Sequence, residues 1–221
     1  MAKHRLLFEK TGRAIYLSHL DLMRTLQRVF YRADVFIRHT EGFNPHAYVS
    51  VLLPLSVGME SVCELLEFEL LGGATLEDLP GVLNEKMPEG IRVIKAYESQ
   101  RKVRELAFAS YTGVWEYDGL ASPEGKIKSL EDFFAQGEIF ITKRTKKKAE
   151  AQVDIKALLR DIRFRVEAGQ IKLEATVFAQ NPGLNPNLLC TALVQHAPEL
   201  APDFAQFTRL EVFDENMEVF R

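Results

Sequence analysis

Cysteine is scarce in this chain of 221 residues, and its two cysteines are not close in sequence. Cys63 and Cys190 lie far apart, and neither belongs to a CxxC motif. Zinc sites built on thiolates and iron–sulfur clusters need several closely spaced cysteines, so we expect neither in this chain alone. The five histidines also lack the spacing of metal ligands. The sequence therefore predicts no metal site and no cofactor in this chain.

Long apolar runs are missing too, and we expect no signal peptide. The longest apolar stretch, residues 49–57, is interrupted by Pro54 and is too short to span a bilayer. The first ten residues contain a short apolar run cut off by charge, which is not typical of a signal peptide. We therefore expect a cytoplasmic protein with no membrane partner and with both thiols reduced and buried.

Neither sign of charge dominates, since 28 Lys and Arg oppose 31 Asp and Glu to give a net charge of −3. This balance excludes a chain disordered by self-repulsion and a uniformly basic protein. The charge is nevertheless segregated. Residues 1–50 hold eight basic and four acidic residues, whereas residues 51–90 hold one basic and eight acidic residues. Such segregation is compatible with one basic surface on a nearly neutral protein.

The apolar pattern of the first half predicts the order β-α-β-β-α-β, which is the ferredoxin-like split βαβ unit. Ser18 has the character of an N-cap, and Leu20, Met23, Leu26 and Phe30 follow at helical spacing on one face. Further segments are predicted as strands or as a second helix. The strands are expected at residues 5–10, 35–38, 49–53, 64–70 and 91–97, and the second helix at residues 76–87.

The second half follows a similar order, with extra strands between residues 138 and 166. Strands are also expected at residues 107–117, 171–178 and 208–213, and helices at residues 127–135 and 188–195. The sequence thus predicts an α+β protein of two tandem ferredoxin-like halves, the second with extra strands. We place the two domains at residues 1–104 and 105–221.

His19 falls in the first turn of the first predicted helix, just after Ser18. The helix dipole favours a neutral imidazole there, and a neutral histidine can act as a general base or contact a phosphate. A histidine that only forms a local hydrogen bond at the helix start is the simpler interpretation. Catalysis would also need a second group near His19, for which Tyr16, His46 and Arg24 are candidates.

Arg24, Arg28 and Arg32 are spaced i, i+4 and i+8, so they form one ridge along the first helix. Three guanidinium groups in a row can bind phosphates through paired hydrogen bonds. The ridge is also compatible with a solvated face that pairs with carboxylates such as Asp21.

Two further segments are candidates for RNA binding, although each is also compatible with an ordinary loop. The first is a loop after the helix, where glycine would let a ligand backbone come close. Its candidate residues are Gly42, Phe43, Asn44 and His46. The second is a basic hairpin that could contact phosphates. Its candidate residues are Lys143, Arg144, Lys146, Lys147 and Lys148.

Three segments together resemble the radical-SAM-linked (radical-SAM-associated) family of unknown function. They are YLSHLDLMR at residues 16–24, EGFNPH at residues 41–46 and PLSVGMES at residues 54–61. Weaker markers are VDIK at residues 153–156 and NPNLL at residues 185–189, where the family usually has Arg-Pro instead of Asn185-Pro186. The resemblance implies a radical SAM partner enzyme that carries the cluster. Because the family's genes tend to lie near those of ribosomal proteins and ribonucleases, it also implies an RNA setting.

Our main hypothesis is an RNA-binding accessory protein that presents a structured RNA (tRNA or rRNA) to a radical SAM partner, without catalysis of its own. A second hypothesis is a metal-independent endoribonuclease with His19 as general base. It draws on a likeness of the predicted architecture to CRISPR repeat-processing endoribonucleases, which is an analogy of fold alone. A third is a module that binds only the partner protein, through an acidic strand carrying Glu64, Glu67 and Glu69.

Overall fold

The computed structural model describes residues 3–119, 123–144, 150–180 and 182–221. The chain divides into two compact units, Met1–Glu105 together with Phe220–Arg221, and Leu106–Val219. In the described part of the chain the structure is mixed α+β, mostly sheet, with four α-helices. None of the described helices is both long enough and apolar enough to cross a membrane.

Unit 1 contains an antiparallel sheet with the strand order β3-β4-β1-β6. Along the chain, one helix follows β1 and the other precedes β6. Strands β2 and β5 form a separate antiparallel pair. The strands are β1 (His4–Lys10), β2 (Phe36–Ile37), β3 (Val49–Val51), β4 (Glu60–Phe68), β5 (Leu70–Gly72) and β6 (Ile91–Glu98). The helices are α1 (His19–Arg32) and α2 (Leu79–Asn84), with 3-10 turns at Gly12–Tyr16 and Val103–Glu105.

Helix α1 begins where the sequence predicts it. The Ser18 hydroxyl accepts a hydrogen bond from the Asp21 amide at 3.2 Å and donates one to its carboxylate at 2.6 Å, which satisfies a free N–H group of the first turn. The helix ends just before Asp34, which has a φ of 53°. This left-handed backbone ends a helix, and Asp is among the residues that tolerate it.

The buried face of α1 differs from the predicted one at Leu20, Leu22 and Val29. Leu22, Leu26, Val29 and Phe30 are buried against the sheet, whereas Leu20 is 64% exposed. The prediction that Leu20 shares one face of the helix with Leu26 and Phe30 is therefore wrong. With 3.6 residues per turn, Leu20 lies opposite the 22–26–29 stripe, on the same side as Arg24.

The glutamates of the predicted acidic surface are buried. Glu64, Glu67 and Glu69 are at most 7% exposed, so they cannot form the partner-docking surface that the third hypothesis required. Glu67 lies 2.6 Å from the Lys3 ammonium and 3.5 Å from the guanidinium of the fully buried Arg5, and Glu69 pairs with Arg38 at 2.8 Å. The hydrogen bond to Glu67 raises the pKa of Lys3. Because buried carboxylates need such partners, Glu67 and Glu69 are held by cations of unit 1 and are not available to another protein.

Unit 2 has an antiparallel sheet in the order β10-β11-β7-β12 and a separate hairpin of β8 and β9. The strands are β7 (Phe108–Glu116), β8 (Phe140–Arg144), β9 (Glu150–Asp154), β10 (Leu159–Glu167), β11 (Gln170–Phe178) and β12 (Phe204–Phe213). The helices are α3 (Glu124–Phe134) and α4 (Asn187–His196), with 3-10 turns at Lys156–Leu158 and Pro198–Leu200.

The core of unit 2 is built on aromatic side chains from its strands and from α3. The Trp115 ring lies 5.6 Å from the Phe164 ring, and Phe134 stacks on Phe164 at 5.9 Å. Gly113 is needed in the middle of β7. A Cβ atom there would come within 3.0 Å of the side chains of Leu173 and Phe207. Close packing of the two neighbouring strands therefore requires glycine at this position.

Candidate nucleic-acid interface

Unit 1 contains a groove of about 360 Å³ on one flank of α1. Three arginines line it: Arg28 and Arg32 come from the helix and Arg13 from the preceding 3-10 turn. Glu89 is the acidic residue among the lining side chains. The remaining lining residues are Ala14, Leu17, Thr25 and Pro88. We call these eight residues the basic groove.

Local contacts explain how the distant segments of the basic groove come together. The Thr11 amide donates to the Gly90 carbonyl at 2.8 Å, which holds the turn after α2 against the 3-10 turn. Gly90 has a φ of 86°, and a Cβ atom there would lie 2.9 Å from that of Ala14. Arg32 donates from Nη2 to the Lys86 carbonyl at 3.1 Å. Glycine at position 90 thus permits the close approach that closes one end of the groove.

The predicted arginine ridge is exposed along its whole length, but its members have different surroundings. Arg24 lies 3.6 Å from the Asp21 carboxylate and does not line the groove, whereas Arg28 and Arg32 do. Arg24 therefore behaves as a solvent-exposed residue paired with a nearby carboxylate, which was the alternative to phosphate binding. Arg28 and Arg32 both line one concave surface, where arginine side chains can bind a phosphate.

The predicted Gly42 loop is a closed hairpin loop. His39 and Ala47 form a β-bridge, and the Thr40 amide donates to the His46 carbonyl at 2.8 Å. The His46 amide donates to Thr40 Oγ1 at 3.2 Å, and the ring Nδ1 lies 3.1 Å from the same oxygen. The histidine therefore fastens the base of the loop. We call residues 39–47 the Phe43 loop.

The tip of the Phe43 loop projects into solvent. Gly42 has a φ of 122°, a backbone conformation that L side chains rarely adopt, so glycine is required at this turn. Phe43 is fully exposed, with a relative accessibility of 112%, and the Asn44 carbonyl lies 3.3 Å from His46 Nδ1. Gln27 of α1 donates to the Ala47 carbonyl at 2.8 Å. This hydrogen bond ties the loop to the same helix that carries the arginines.

His19 is the first residue of α1 and is exposed. Within the described residues, no hydrogen bond or ion pair joins its ring to Tyr16, His46 or Arg24. His46 is instead held by its own loop, and Arg24 faces Asp21. A general base needs a positioned partner, so the endoribonuclease hypothesis gains no support from this geometry and stays a prediction.

The basic hairpin lies in unit 2. Lys143 is exposed near the end of β8. In the backbone pairing of β8 with β9, position 143 lies opposite Ala151 and position 144 lies opposite Glu150. Lys146, Lys147 and Lys148 lie outside the described residues. The hairpin fold expected for this segment is present on both sides of that gap. Its role in binding phosphate stays a prediction.

Neither cysteine has the surroundings of a reactive or metal-binding thiol. Both are free; Cys63 is buried and Cys190 is half-buried, so the expectation of two buried thiols was wrong for Cys190. Desolvation raises the pKa of Cys190 to about 12, which keeps it a neutral thiol at physiological pH. Among the described residues, no group of three His, Cys, Asp or Glu side chains is arranged to hold a metal ion.

Arg13 and Tyr31 were not among the candidate residues predicted from the sequence. Arg13 joins the groove through a 3-10 turn that the sequence did not distinguish from a strand end. Tyr31 is 84% exposed and lies seven residues after Arg24 on the same side of α1. The sequence could have predicted Tyr31, because a spacing of seven residues from Arg24 places its aromatic ring on the same side of the helix.

A family model described as "Uncharacterized protein conserved in bacteria (DUF2344)" matches residues 3–186. The chain belongs to this family. The match includes α1, the Phe43 loop and the whole basic groove, so these features lie within the DUF2344 region. The description of this family does not mention radical SAM enzymes, so the resemblance to the radical-SAM-linked family is more specific than this match. No curated protein matches the chain.

Solved structures similar to this DUF2344 chain share little sequence with it. A chain in a crystal structure of a Cbf5-Nop10-Gar1 complex is 11% identical with a TM-score of 0.51, and the match covers 96% of this chain and 50% of that one. The DUF2344 chain thus spans about half the length of this relative, and the likeness concerns the fold alone. An unknown protein from Galdieria sulphuraria is 10% identical over 94% of this chain and 98% of that one, with a TM-score of 0.28.

Proposed function

We propose that this protein is an RNA-binding accessory protein that presents a structured RNA (tRNA or rRNA) to a radical SAM partner enzyme. The observation that carries the proposal is the basic groove, in which Arg13, Arg28 and Arg32 face one concavity beside a single glutamate, Glu89. Guanidinium groups match phosphate oxygens in geometry and charge. Three of them along one helix flank suit a sugar–phosphate backbone better than a single small anion.

The charge distribution supports a one-sided contact with RNA. The net charge of −3 would disfavour a protein that wraps nucleic acid on all sides. The acidic excess of residues 51–90 is partly internal, since Glu64, Glu67 and Glu69 are buried. Burial of these carboxylates leaves less negative surface to repel a polyanion than the sequence total implies.

The tandem ferredoxin-like architecture is part of the same proposal, with domains at residues 1–104 and 105–221. Its support is that the two units share one strand order. In each unit the four strands of the antiparallel sheet, numbered along the chain, lie in the order 2-3-1-4, with one helix after the first strand and one between the third and the fourth. That order and those helix positions are typical of the βαββαβ unit.

The radical SAM partner and a cytoplasmic location rest on the resemblance of the sequence motifs. The two free cysteines, Cys63 and Cys190, provide too few thiolates for a cluster in this chain, which agrees with a partner that carries it. The test is ultraviolet crosslinking in the host, with sequencing of the bound RNA and mass spectrometry of co-purified proteins. We expect one tRNA or rRNA region and a radical SAM enzyme. Recovery of neither would overturn the proposal.

The crosslinking experiment includes two triple variants. In the first, Arg13, Arg28 and Arg32 are changed to Gln, and we expect the RNA crosslinks to fall to background. In the control, three other exposed basic residues, Lys102, Lys128 and Arg163, are changed to Gln. The control removes the same amount of charge, so unchanged crosslinking there would assign the contact to the basic groove.

A further inference from the structure

Exposed apolar side chains are concentrated on α1 and in the chain segments just before and after it. The five most exposed large apolar residues of the described chain all lie between residues 16 and 43. They are Tyr16 (72%), Leu20 (64%), Tyr31 (84%), Phe36 (64%) and Phe43 (112%). Single exposed apolar residues are ordinary, but a concentration of this kind marks a surface that meets a partner.

Helix geometry places part of this set among the arginines. Leu20 lies four residues before Arg24, and Tyr31 lies three residues after Arg28, so all four share the outer side of α1. In proteins that bind single-stranded nucleic acid, basic side chains contact the phosphates and aromatic rings stack on the bases. A face on which arginines alternate with apolar side chains suits a partner that combines negative charge with flat apolar faces.

The Phe43 loop holds an aromatic ring away from the protein surface. Its base is closed by the His39–Ala47 bridge and by the hydrogen bonds between Thr40 and His46, and Gly42 makes the turn. The hydrogen bond from Gln27 to Ala47 fixes the loop on α1. A loop already ordered in this way loses little conformational entropy when its tip binds a ligand.

We propose that this surface binds unpaired nucleotides, with Phe43 stacked on an unpaired base while the basic groove, which helix geometry places on the other flank of α1 from the Phe43 loop, binds phosphates further along the same strand. The proposal rests on the RNA-binding function proposed above and specifies the kind of RNA. Bases within a duplex stack on each other and present only their edges, whereas loops and single strands offer base faces to aromatic rings. The RNA presented to the partner enzyme would therefore have an unpaired segment at this surface.

Fluorescence anisotropy tests this inference with a short single-stranded RNA and with the same strand annealed to its complement. We expect the wild-type protein to bind the single strand more tightly than the duplex at equal salt. Replacing Phe43 by Ala should weaken single-strand binding about tenfold or more and leave duplex binding unchanged. Replacing Phe43 by Tyr, which keeps a stacking ring, should preserve most of the affinity.

Phe204 provides the matched control, since it is a phenylalanine of unit 2 that is 54% exposed. The Phe204→Ala variant should bind both RNAs like the wild type. Equal binding of single strand and duplex, or an unchanged affinity of Phe43→Ala, would overturn the inference while leaving the proposed RNA-binding function in place. Failure to bind either RNA even at low salt would overturn both and would favour a protein partner for this surface.

Discussion

At the scale of single residues, the structure separates charges that stabilise unit 1 from charges available to a ligand. Sequence alone could not make this separation, because Glu67 and Glu85 are the same residue type in the same acidic stretch. Glu67 faces Lys3 and Arg5 inside unit 1, whereas the Glu85 side chain is 74% exposed. The difference arises from strand pairing between β1 and β4, which is a contact between residues more than 60 positions apart.

Replacing Glu67 by Gln should lower the free energy of unfolding by about 3 kcal/mol, because the buried Arg5 guanidinium loses its carboxylate partner. Urea denaturation followed by circular dichroism measures the change. Glu85→Gln is the control and should change stability by less than about 0.5 kcal/mol, as an exposed pair contributes little. A Glu67→Gln variant as stable as the wild type would show that this buried ion pair does not stabilise unit 1.

At the scale of elements, the strongest periodic segments were predicted best. The alternation of residues 171–178 predicts a strand, and β11 occupies Gln170–Phe178. Helix α1 begins after Ser18 as its capping residues predict. The helix predicted at residues 76–87 is shorter in the structure, where it spans Leu79–Asn84. Just before it, the Thr75 hydroxyl donates a hydrogen bond to the Asp78 carboxylate. The pairing of β2 with β5 depends on tertiary contacts that no local pattern records.

The capping contact at Ser18 makes a prediction for α1. Ser18→Ala should lower the free energy of unfolding by about 1 kcal/mol, because it removes the acceptor of the Asp21 amide. Ser129, an exposed residue inside α3, is the control, since Ala is favoured over Ser within a helix. Chemical denaturation of both variants measures the difference. Equal stability of Ser18→Ala and Ser129→Ala would argue that the cap does not hold the start of α1.

At the scale of the whole molecule, unit 1 is assembled from two parts of the chain that are distant in sequence. Phe220 belongs to unit 1 although more than 100 residues separate it from Glu105. Its ring is fully buried, and the guanidinium carbons of Arg5 and Arg101 lie 4.9 and 5.2 Å from its centre. A boundary placed at residue 104 from local pattern could not include this contact.

Replacing Phe220 by Ala should therefore destabilise the protein by about 3 kcal/mol or more, through the lost burial and the cavity left between two arginines. The neighbouring Val219 is 47% exposed, so Val219→Ala should cost less than about 1 kcal/mol. Thermal and urea unfolding of both variants test this difference. If the two variants were equally stable, Phe220 would not be part of the core of unit 1.

The basic groove also belongs to the scale of the whole molecule, because its arginines come from two elements and its rim from a third. The sequence indicated Arg28 and Arg32 through their helical spacing. It could not indicate Arg13 or Glu89, since only the contact of the Gly90 turn with the 3-10 turn brings them to the helix. For the proposed function, these side chains must bind RNA phosphates.

The most direct test is the salt dependence of RNA binding by the wild-type protein and by the Arg13/Arg28/Arg32→Gln variant. Each phosphate contact that is lost removes close to one unit from the slope of log affinity against log salt concentration. We therefore expect the slope of the variant to be smaller in magnitude by about 2 to 3, with weaker binding at low salt. The Lys102/Lys128/Arg163→Gln control should keep the wild-type slope. An identical slope and affinity in the wild type and the groove variant would contradict the account.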